Sequence, residues 1–291
     1  MKPRRAYLCS LVTLLFVASS IGCNTSQKSV VRVEGSDTMV NVAQAWAERY
    51  HQKFPAIEIH VSGGGSGVGI ASLINGVADL ANSSREMKAK ERQAIEAKTG
   101  KKPLEFIVGR DALAVYVHKD NPLESISLED LAEIYGENGT ITTWSQLGVL
   151  LAVCESGNII RVSRQNNSGT YMYFREAVLR NQRELKLGSI DQSGSKDVVA
   201  LVANTPCAIG YSGMGYATEK VKMLRIAPKQ GAHGIAPTVD NAKSGAYPIA
   251  RPLLIYTAGE PTGVLKDYLH WIMSEEGQKI VLDMGYIPVK S

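Results

Sequence analysis

The sequence predicts an α/β fold built from two sheet units. Apolar runs of strand length alternate with helical periodicity along the chain. Turns rich in glycine and serine close many of those runs. The 291 residues suffice for two ordinary cores. One sheet unit occupies roughly 30–110 and a second roughly 114–225. The tail beyond about 250 is too short for a third domain and is expected to return to the first unit. The result is two lobes joined by two crossings, largely parallel in sheet direction, with no fixed-period repeat.

The elements follow in order. Residues 30–33 form a short strand ended by Gly35, Ser36, Asp37 and Thr38. Met39, Val42, Ala43, Trp46, Ala47 and Tyr50 recur at helical spacing until Phe54 and Pro55 stop the helix. Ile57, Ile59 and Val61 alternate with polar residues as a strand and enter the glycine-rich turn 62–67. A short helix at 68–75, a strand at 77–81 and a charged helix at 86–98 follow. Residues 104–108 and 112–118 read as two strands around Gly109, Arg110 and Asp111. Ser127 caps a short helix, with Asp130 at the capping-box position. Trp144 lies in a loop or short helical turn. A strand ending near Val162 leads through a polar turn into a helix at 171–179. Then come a helix at 197–203, strands at 208–211 and 221–226, a loop at 231–245 and a strand at 251–256. Two helices, 264–273 and 277–284, end the chain.

The first 23 residues read as a targeting segment. Lys2, Arg4 and Arg5 precede an apolar run from Ala6 to Ala18, and small residues lead to Cys23. The run is too short to span a bilayer, which needs about 20 residues. The small residues before Cys23 resemble a bacterial lipobox, although Ser20 stands where leucine is usual. That resemblance implies cleavage before Cys23 and a lipid on it. Residues 24–29 form a polar tether. Without the leader, 29 basic residues face 28 acidic ones, so no basic face large enough for nucleic acid remains. Cys154 and Cys207 could form a disulfide in an oxidising compartment, or stay two buried thiols. No Cys/His spacing suggests a metal site, and nothing calls for a cofactor.

Four strand-to-helix junctions carry one chemistry. They hold Ser36, Asp37 and Thr38; Ser66 and Gly67; Ser84 and Arg85; and Arg164, Ser168, Gly169 and Thr170. Glycine allows close approach of a ligand, hydroxyls donate, and helix N-termini offer free N–H groups. One such turn is ordinarily a helix cap. Four of them, three in one unit and one in the other, point to an anion site at the C-terminal strand edges. The nucleotide reading fails. A G-x-G-x-x-G run begun at Gly63 or Gly65 would need glycine at Val68 or Ile70, and no Walker lysine follows. A nucleophilic enzyme finds no support either, since the five histidines are scattered and no G-x-S-x-G elbow occurs.

Several ordered motifs carry a resemblance: GSDTM (35–39), SGGGSGVGI (62–70), DLANSSR (79–85), GRDALAVYVHKDNP (109–122), SRQNNSGTY (163–171), AIGYSGMGYA (208–217) and YPIARPLLIY (247–256). The chain resembles the phosphate-binding proteins of bacterial phosphate ABC transporters, of the type II periplasmic binding-protein fold. The resemblance implies a two-lobed clamp, each lobe a mixed, mainly parallel sheet flanked by helices, with two hinge crossings. It implies lobe 1 at 30–113 plus 250–291 and lobe 2 at 114–249. It also implies capture of inorganic phosphate without catalysis or cofactor, and delivery to ABC permease subunits. The protein would act as a monomer, lipid-anchored in the cell envelope and facing the periplasm. By motif, Thr38 with Ser36, Ser66, and Arg164, Ser168, Gly169 and Thr170 hold the phosphate. The family's aspartate at the third junction is replaced by Ser84, which leaves Asp37 as the candidate acceptor for a phosphate proton. Another oxyanion or small anionic ligand is the alternative, and a phosphatase-like enzyme the distant one.

Overall fold

The computed structural model describes residues 29–289. The expected leader with Cys23, most of the tether and the last two residues of the chain lie outside the described residues. Among the described residues no helix is long and apolar enough to cross a membrane.

The chain opens with β1 (Ser29–Gly35), α1 (Val40–Lys53), β2 (Ile57–Gly64), α2 (Ser66–Asn75), β3 (Leu80–Ser83), α3 (Ala89–Thr99) and β4 (Leu104–His118). It continues with β5 (Ser125–Ser127), α4 (Leu128–Tyr135), β6 (Ile160–Arg164), α5 (Gly169–Leu179), β7 (Ile190–Gln192) and α6 (Ser195–Ala203). Then follow β8 (Ala208–Gly213), β9 (Val221–Met223), β10 (Arg225–Ala227) and α7 (Val239–Lys243). The chain closes with β11 (Ala250–Thr257), α8 (Gly263–Ile272) and α9 (Glu275–Asp283).

A nine-stranded sheet runs through both lobes in the order β2-β1-β3-β11-β4-β8-β6-β7, with β9 also on β4. Within each lobe the strands are parallel: β1 with β2 and β3, and β6 with β7 and β8. The antiparallel strands are β4 and β11, where the lobes join. β4 pairs with β11 through 104–112 and with β8 through 113–117, so one strand serves both lobes.

Each lobe has its own core. In the first, Val33, Trp46, Tyr50 and Leu80 are buried with Tyr268 and Trp271 from α8. The Trp46 indole donates to the Gly277 carbonyl at 2.8 Å, which ties α1 to the returning C-terminal helices. In the second, Tyr135, Phe174 and Tyr211 are fully buried, and Phe174 stacks on Tyr211 at 3.8 Å between ring centroids. A disulfide joins Cys154 to Cys207, so the bonded alternative is the one observed.

Ser127 caps α4 as its sequence predicts: its hydroxyl accepts from the Asp130 N–H at 3.0 Å. Four expectations are corrected. Residues 104–118 are one strand, because Asp111 lies directly opposite Arg251 and the ion pair carries the ladder across the polar stretch. The expected strand at 221–226 divides between β9 on β4 and β10 on β5. Between them the Leu224 N–H turns to the Val115 carbonyl. The expected loop at 231–245 contains α7, capped by Thr238. β3 lies further along than 77–81, leaving Val77 exposed before it.

Candidate anion-binding site

The four junctions lie at the C-terminal ends of β1, β2, β3 and β6. Three converge in the first lobe. Gly35 has φ +137°, and a Cβ there would come within 2.1 Å of the Asn82 carbonyl. Only glycine allows β1 and β3 to turn this close together. The approach sets the Ser36 hydroxyl 2.9 Å from that of Ser84. Ser66, the first residue of α2, accepts from the Ser84 N–H at 3.1 Å and lies 3.4 Å from the Ser84 hydroxyl. All three serines and Thr38 are buried.

The fourth junction brings the second lobe against them. β6 ends at Arg164, and Ser168 caps α5 by accepting from the Thr170 N–H at 3.1 Å. A Cβ on Gly169 would stand 2.2 Å from the Ser66 hydroxyl, so the start of α5 abuts the serine cluster. Thr170 and Thr38 share a hydrogen bond of 2.9 Å across the lobes. The Asn167 side chain donates to the Gly64 carbonyl at 3.0 Å, and the Gly67 N–H donates to the Asn167 carbonyl at 3.0 Å.

Arg164 is 1% exposed, and one of the two Nη1 hydrogens is left over from its four bonds. It donates to the Ser195 hydroxyl (2.9 Å), the Ser193 carbonyl (2.7 Å), the Gln192 carbonyl (3.3 Å) and Asp37 Oδ2 (2.8 Å). Burial pulls its guanidinium below the ordinary value, and the Asp37 carboxylate opposes that. Asp37 belongs to the first lobe, so this ion pair bridges the two. Its other oxygen accepts from the Gly64 N–H at 2.9 Å, and the Tyr216 hydroxyl donates to its carbonyl at 2.6 Å. Burial raises the Tyr216 phenol above its usual range and keeps it a donor.

Of the residues expected from sequence, Ser36, Thr38, Ser66, Ser84, Gly169 and Thr170 come together, Ser168 caps the same helix start, and Arg164 joins them through the Ser195 hydroxyl, 3.5 Å from that of Thr38. Gly67 contributes its N–H to the lobe contact at Asn167. Asp37 meets Arg164 and stays apart from the serine cluster's bonds. Arg85 corrects its expectation. Its guanidinium forms a two-pronged pair with Glu91 on α3 at 2.8 and 2.9 Å and donates to the Glu86 carbonyl. A carboxylate six residues on, in the first turn of α3, takes the charge that a ligand would otherwise meet.

Sequence reasoning placed Asn167 in the fourth junction and overlooked Asp111, Arg251, Ser195 and Tyr216. Asp111 and Arg251 form a fully buried ion pair of 2.9 Å, and Arg251 also reaches Thr38 and Thr170. Burial pushes the Asp111 carboxyl up, and Arg251 pulls it back down. The signal was a charged residue within the apolar run of each crossing strand, which demands a partner.

The arrangement concentrates hydroxyl donors, two helix starts and two guanidinium groups in one buried place, with each guanidinium balanced by a carboxylate. It suits an anion with several oxygens, each needing its own donor. Among the described residues no cluster of His, Cys, Asp and Glu is arranged to hold a metal ion.

Comparisons with known proteins agree with this geometry. A family model described as a PBP superfamily domain matches residues 23–276. The chain is 36% identical to the phosphate-binding protein PstS of Pseudomonas aeruginosa, over 88% of this chain and 81% of that protein. It is 34% identical to the phosphate-binding protein PstS of Bacillus subtilis, over 88% of this chain and 80% of the relative. A Clostridium perfringens structure with bound phosphate, described as a phosphate ABC transporter substrate-binding protein, superposes with a TM-score of 0.78. That pair shares 30% identity over 90% of this chain and all of the other. With matches of this extent, the chain belongs to the PBP superfamily and, within it, to the phosphate-binding proteins of the PstS kind.

Proposed function

We infer that this chain is a substrate-binding protein that captures inorganic phosphate and delivers it to the permease of an ABC transporter. The observation that carries the reading is the meeting of Ser36, Thr38, Ser66 and Ser84 from one lobe with Gly169 and Thr170 from the other, with Arg164 linked to Thr38 through the Ser195 hydroxyl and Ser168 capping the same helix. The relatives named as phosphate-binding proteins and the structure with bound phosphate support it. A doubly charged anion leaves water only if every oxygen finds a donor. Neutral hydroxyls and helix N–H groups supply donors without a large net charge, and Arg164 supplies the cation. Micromolar binding corresponds to about −8 kcal/mol, a small surplus over that desolvation. The task is binding, with no bond made or broken.

Ser36, Thr38, Ser66, Ser84, Arg164, Ser168, Gly169 and Thr170 are the assigned ligands. Asp37, beside Arg164, is the acceptor that would distinguish proton-bearing phosphate from sulfate. The lobes divide as 30–113 plus 250–291 and 114–249, a division supported by the separate cores and by β4 passing between them. Closure of the lobes is the signal the permease reads. The basic, apolar and small-residue pattern before Cys23 supports export, lipidation of Cys23 and a tether to the membrane in the cell envelope, facing the periplasm, where the protein would act as a monomer. Equilibrium binding of radiolabelled phosphate, with sulfate, arsenate and molybdate as competitors, tests the reading. Arsenate is expected to compete and sulfate to compete poorly. Sulfate competing as well as phosphate would make this a general oxyanion clamp, and no phosphate binding would overturn the assignment.

A further inference from the structure

The phosphate reading accounts for Arg164 but leaves a second buried guanidinium at the same place. Arg251 lies at the start of β11 and is 1% exposed. Its Nε and Nη2 donate to Asp111 Oδ2 at 3.1 and 2.9 Å. Nη1 donates to the Ser84 carbonyl at 3.2 Å. Nη2 also lies 3.2 Å from the Thr38 hydroxyl and 3.0 Å from that of Thr170. The guanidinium carbon stands 5.5 Å over the Tyr173 ring of α5. One side chain on a crossing strand therefore touches site residues of both lobes.

A guanidinium has five N–H donors in a fixed plane. At Nη2 two hydrogens serve three acceptors, so the threonine oxygens share what Asp111 leaves. At Nη1 two hydrogens meet one acceptor among the described residues, the Ser84 carbonyl. Shared and spare donors on a buried cation are poorly spent on neutral hydroxyls. An anionic oxygen is the stronger acceptor and would take them. An ion pair serving only to join β4 and β11 would need no reach to Thr38 and Thr170.

We propose that Arg251 is a second phosphate-binding guanidinium, oriented by Asp111, which serves the anion from the strand crossing while Arg164 serves it from the second lobe. The proposal rests on the phosphate reading above. Its ligand class is a tetrahedral oxyanion with enough oxygens to meet both guanidinium groups at once. Asp111 is a positioning residue: it fixes the plane of Arg251 and balances its charge. The anion then contacts both lobes and the segment between them, and closing the clamp brings all three to one ligand.

The test measures phosphate affinity by equilibrium dialysis, and thermal midpoints with and without phosphate, on three proteins, with Arg164→Ala as a fourth for reference. The three are the wild type, Arg251→Lys, and the double variant Asp111→Asn with Arg251→Gln. The double variant removes both charges together and leaves no buried ion unpaired. Lysine keeps the charge beside Asp111 but loses the planar fork. Phosphate affinity is expected to fall about 10- to 100-fold in the double variant and about tenfold with lysine, as loss of charge-assisted bonds implies. A folded variant of either kind that binds within about threefold of wild type overturns the proposal, even if its ligand-free midpoint drops, for that is the mark of a purely structural pair. If the double variant does not fold, the lysine variant decides. Wild type failing to bind phosphate would sink the phosphate reading itself. Wild type binding, Arg164→Ala not binding and both Arg251 variants unaffected would remove only the role of Arg251.

Discussion

Two arginine–aspartate pairs lie at the centre of this molecule, and they differ in what they join. Arg164 and Asp37 meet at 2.8 Å across the lobes, and the Asp37 side chain keeps 15% of its exposure. Arg251 and Asp111 meet at 2.9 Å between neighbouring strands and are wholly buried. The first pair can part when the lobes separate, and water can reach the carboxylate. The second is held by the sheet register in which Arg251 faces Asp111. The same chemistry is thus a latch in one place and a fixture in the other. A latch tunes the balance between open and closed forms, whereas a fixture sets the shape of what closes.

Breaking the fixture should have the largest effect. Asp111→Ala leaves the Arg251 charge buried without its partner and is expected to cost about 3–5 kcal/mol in urea unfolding. Asp37→Ala should cost about 1 kcal/mol or less, because water already reaches that pair. Equal losses would erase the distinction between the two.

Arg164→Ala comes next and acts on function. Phosphate affinity should fall at least about 100-fold, as expected for a charged donor aimed at the ligand, while unfolding stays cooperative. Near-native binding would show the site to be misplaced. Asp37→Asn should have a smaller effect, an about tenfold loss of phosphate-over-sulfate preference in competition binding, equivalent to one proton-accepting contact. An unchanged preference would return selectivity to the backbone and hydroxyl geometry.

A third pair supplies the control. Arg85 and Glu91 are bonded at 2.8 Å outside the hydroxyl cluster. Arg85→Gln should leave phosphate affinity within about twofold and lower stability by about 1 kcal/mol, because the Glu91 side chain keeps 17% of its exposure and water can reach it. Burial alone would raise the Glu91 carboxyl, but its bonds to Arg85 and the Lys88 N–H outweigh that and leave it below its ordinary value. A depressed folded value stabilises above the ordinary carboxylate range and is lost as pH falls through it. The stability gap between wild type and Arg85→Gln should therefore close on acidification, as thermal melts across pH 2–6 would show (about the span of carboxylate titration).

Much of this was legible beforehand for a local reason. Ser36, Ser66, Ser84 and Ser168 each follow a strand, and all but Ser84 stand at or near a helix start, so position along the chain already placed them on one sheet edge. Arg251 was not legible in that way. Its partner is 140 residues distant in sequence, and only strand register brings them opposite. The same register hid β4: Gly109, Arg110 and Asp111 read as a break, yet the strand continues with Arg110 bonded to Ile287 and Asp111 facing Arg251. Arg85 misled for the converse reason, since its position promised a ligand while Glu91 on the next helix was nearer. The disulfide needed a distance, and the 5.3 Å between the Cα atoms of Cys154 and Cys207 belongs to the fold.

The place of β11 in the sheet bears on how the chain is made. It lies between β3 and β4, bonded to both, although it comes about 130 residues after the end of β4. Emerging from the ribosome, the second lobe is complete in sequence while the first still lacks the strand that fits between β3 and β4. Until residues 250–257 arrive, β3 and β4 present open edges that invite pairing with other chains. Biogenesis thus favours a chain kept extended until its last strand has been delivered, and a stop placed before 250 would give two adhesive edges in place of a lobe.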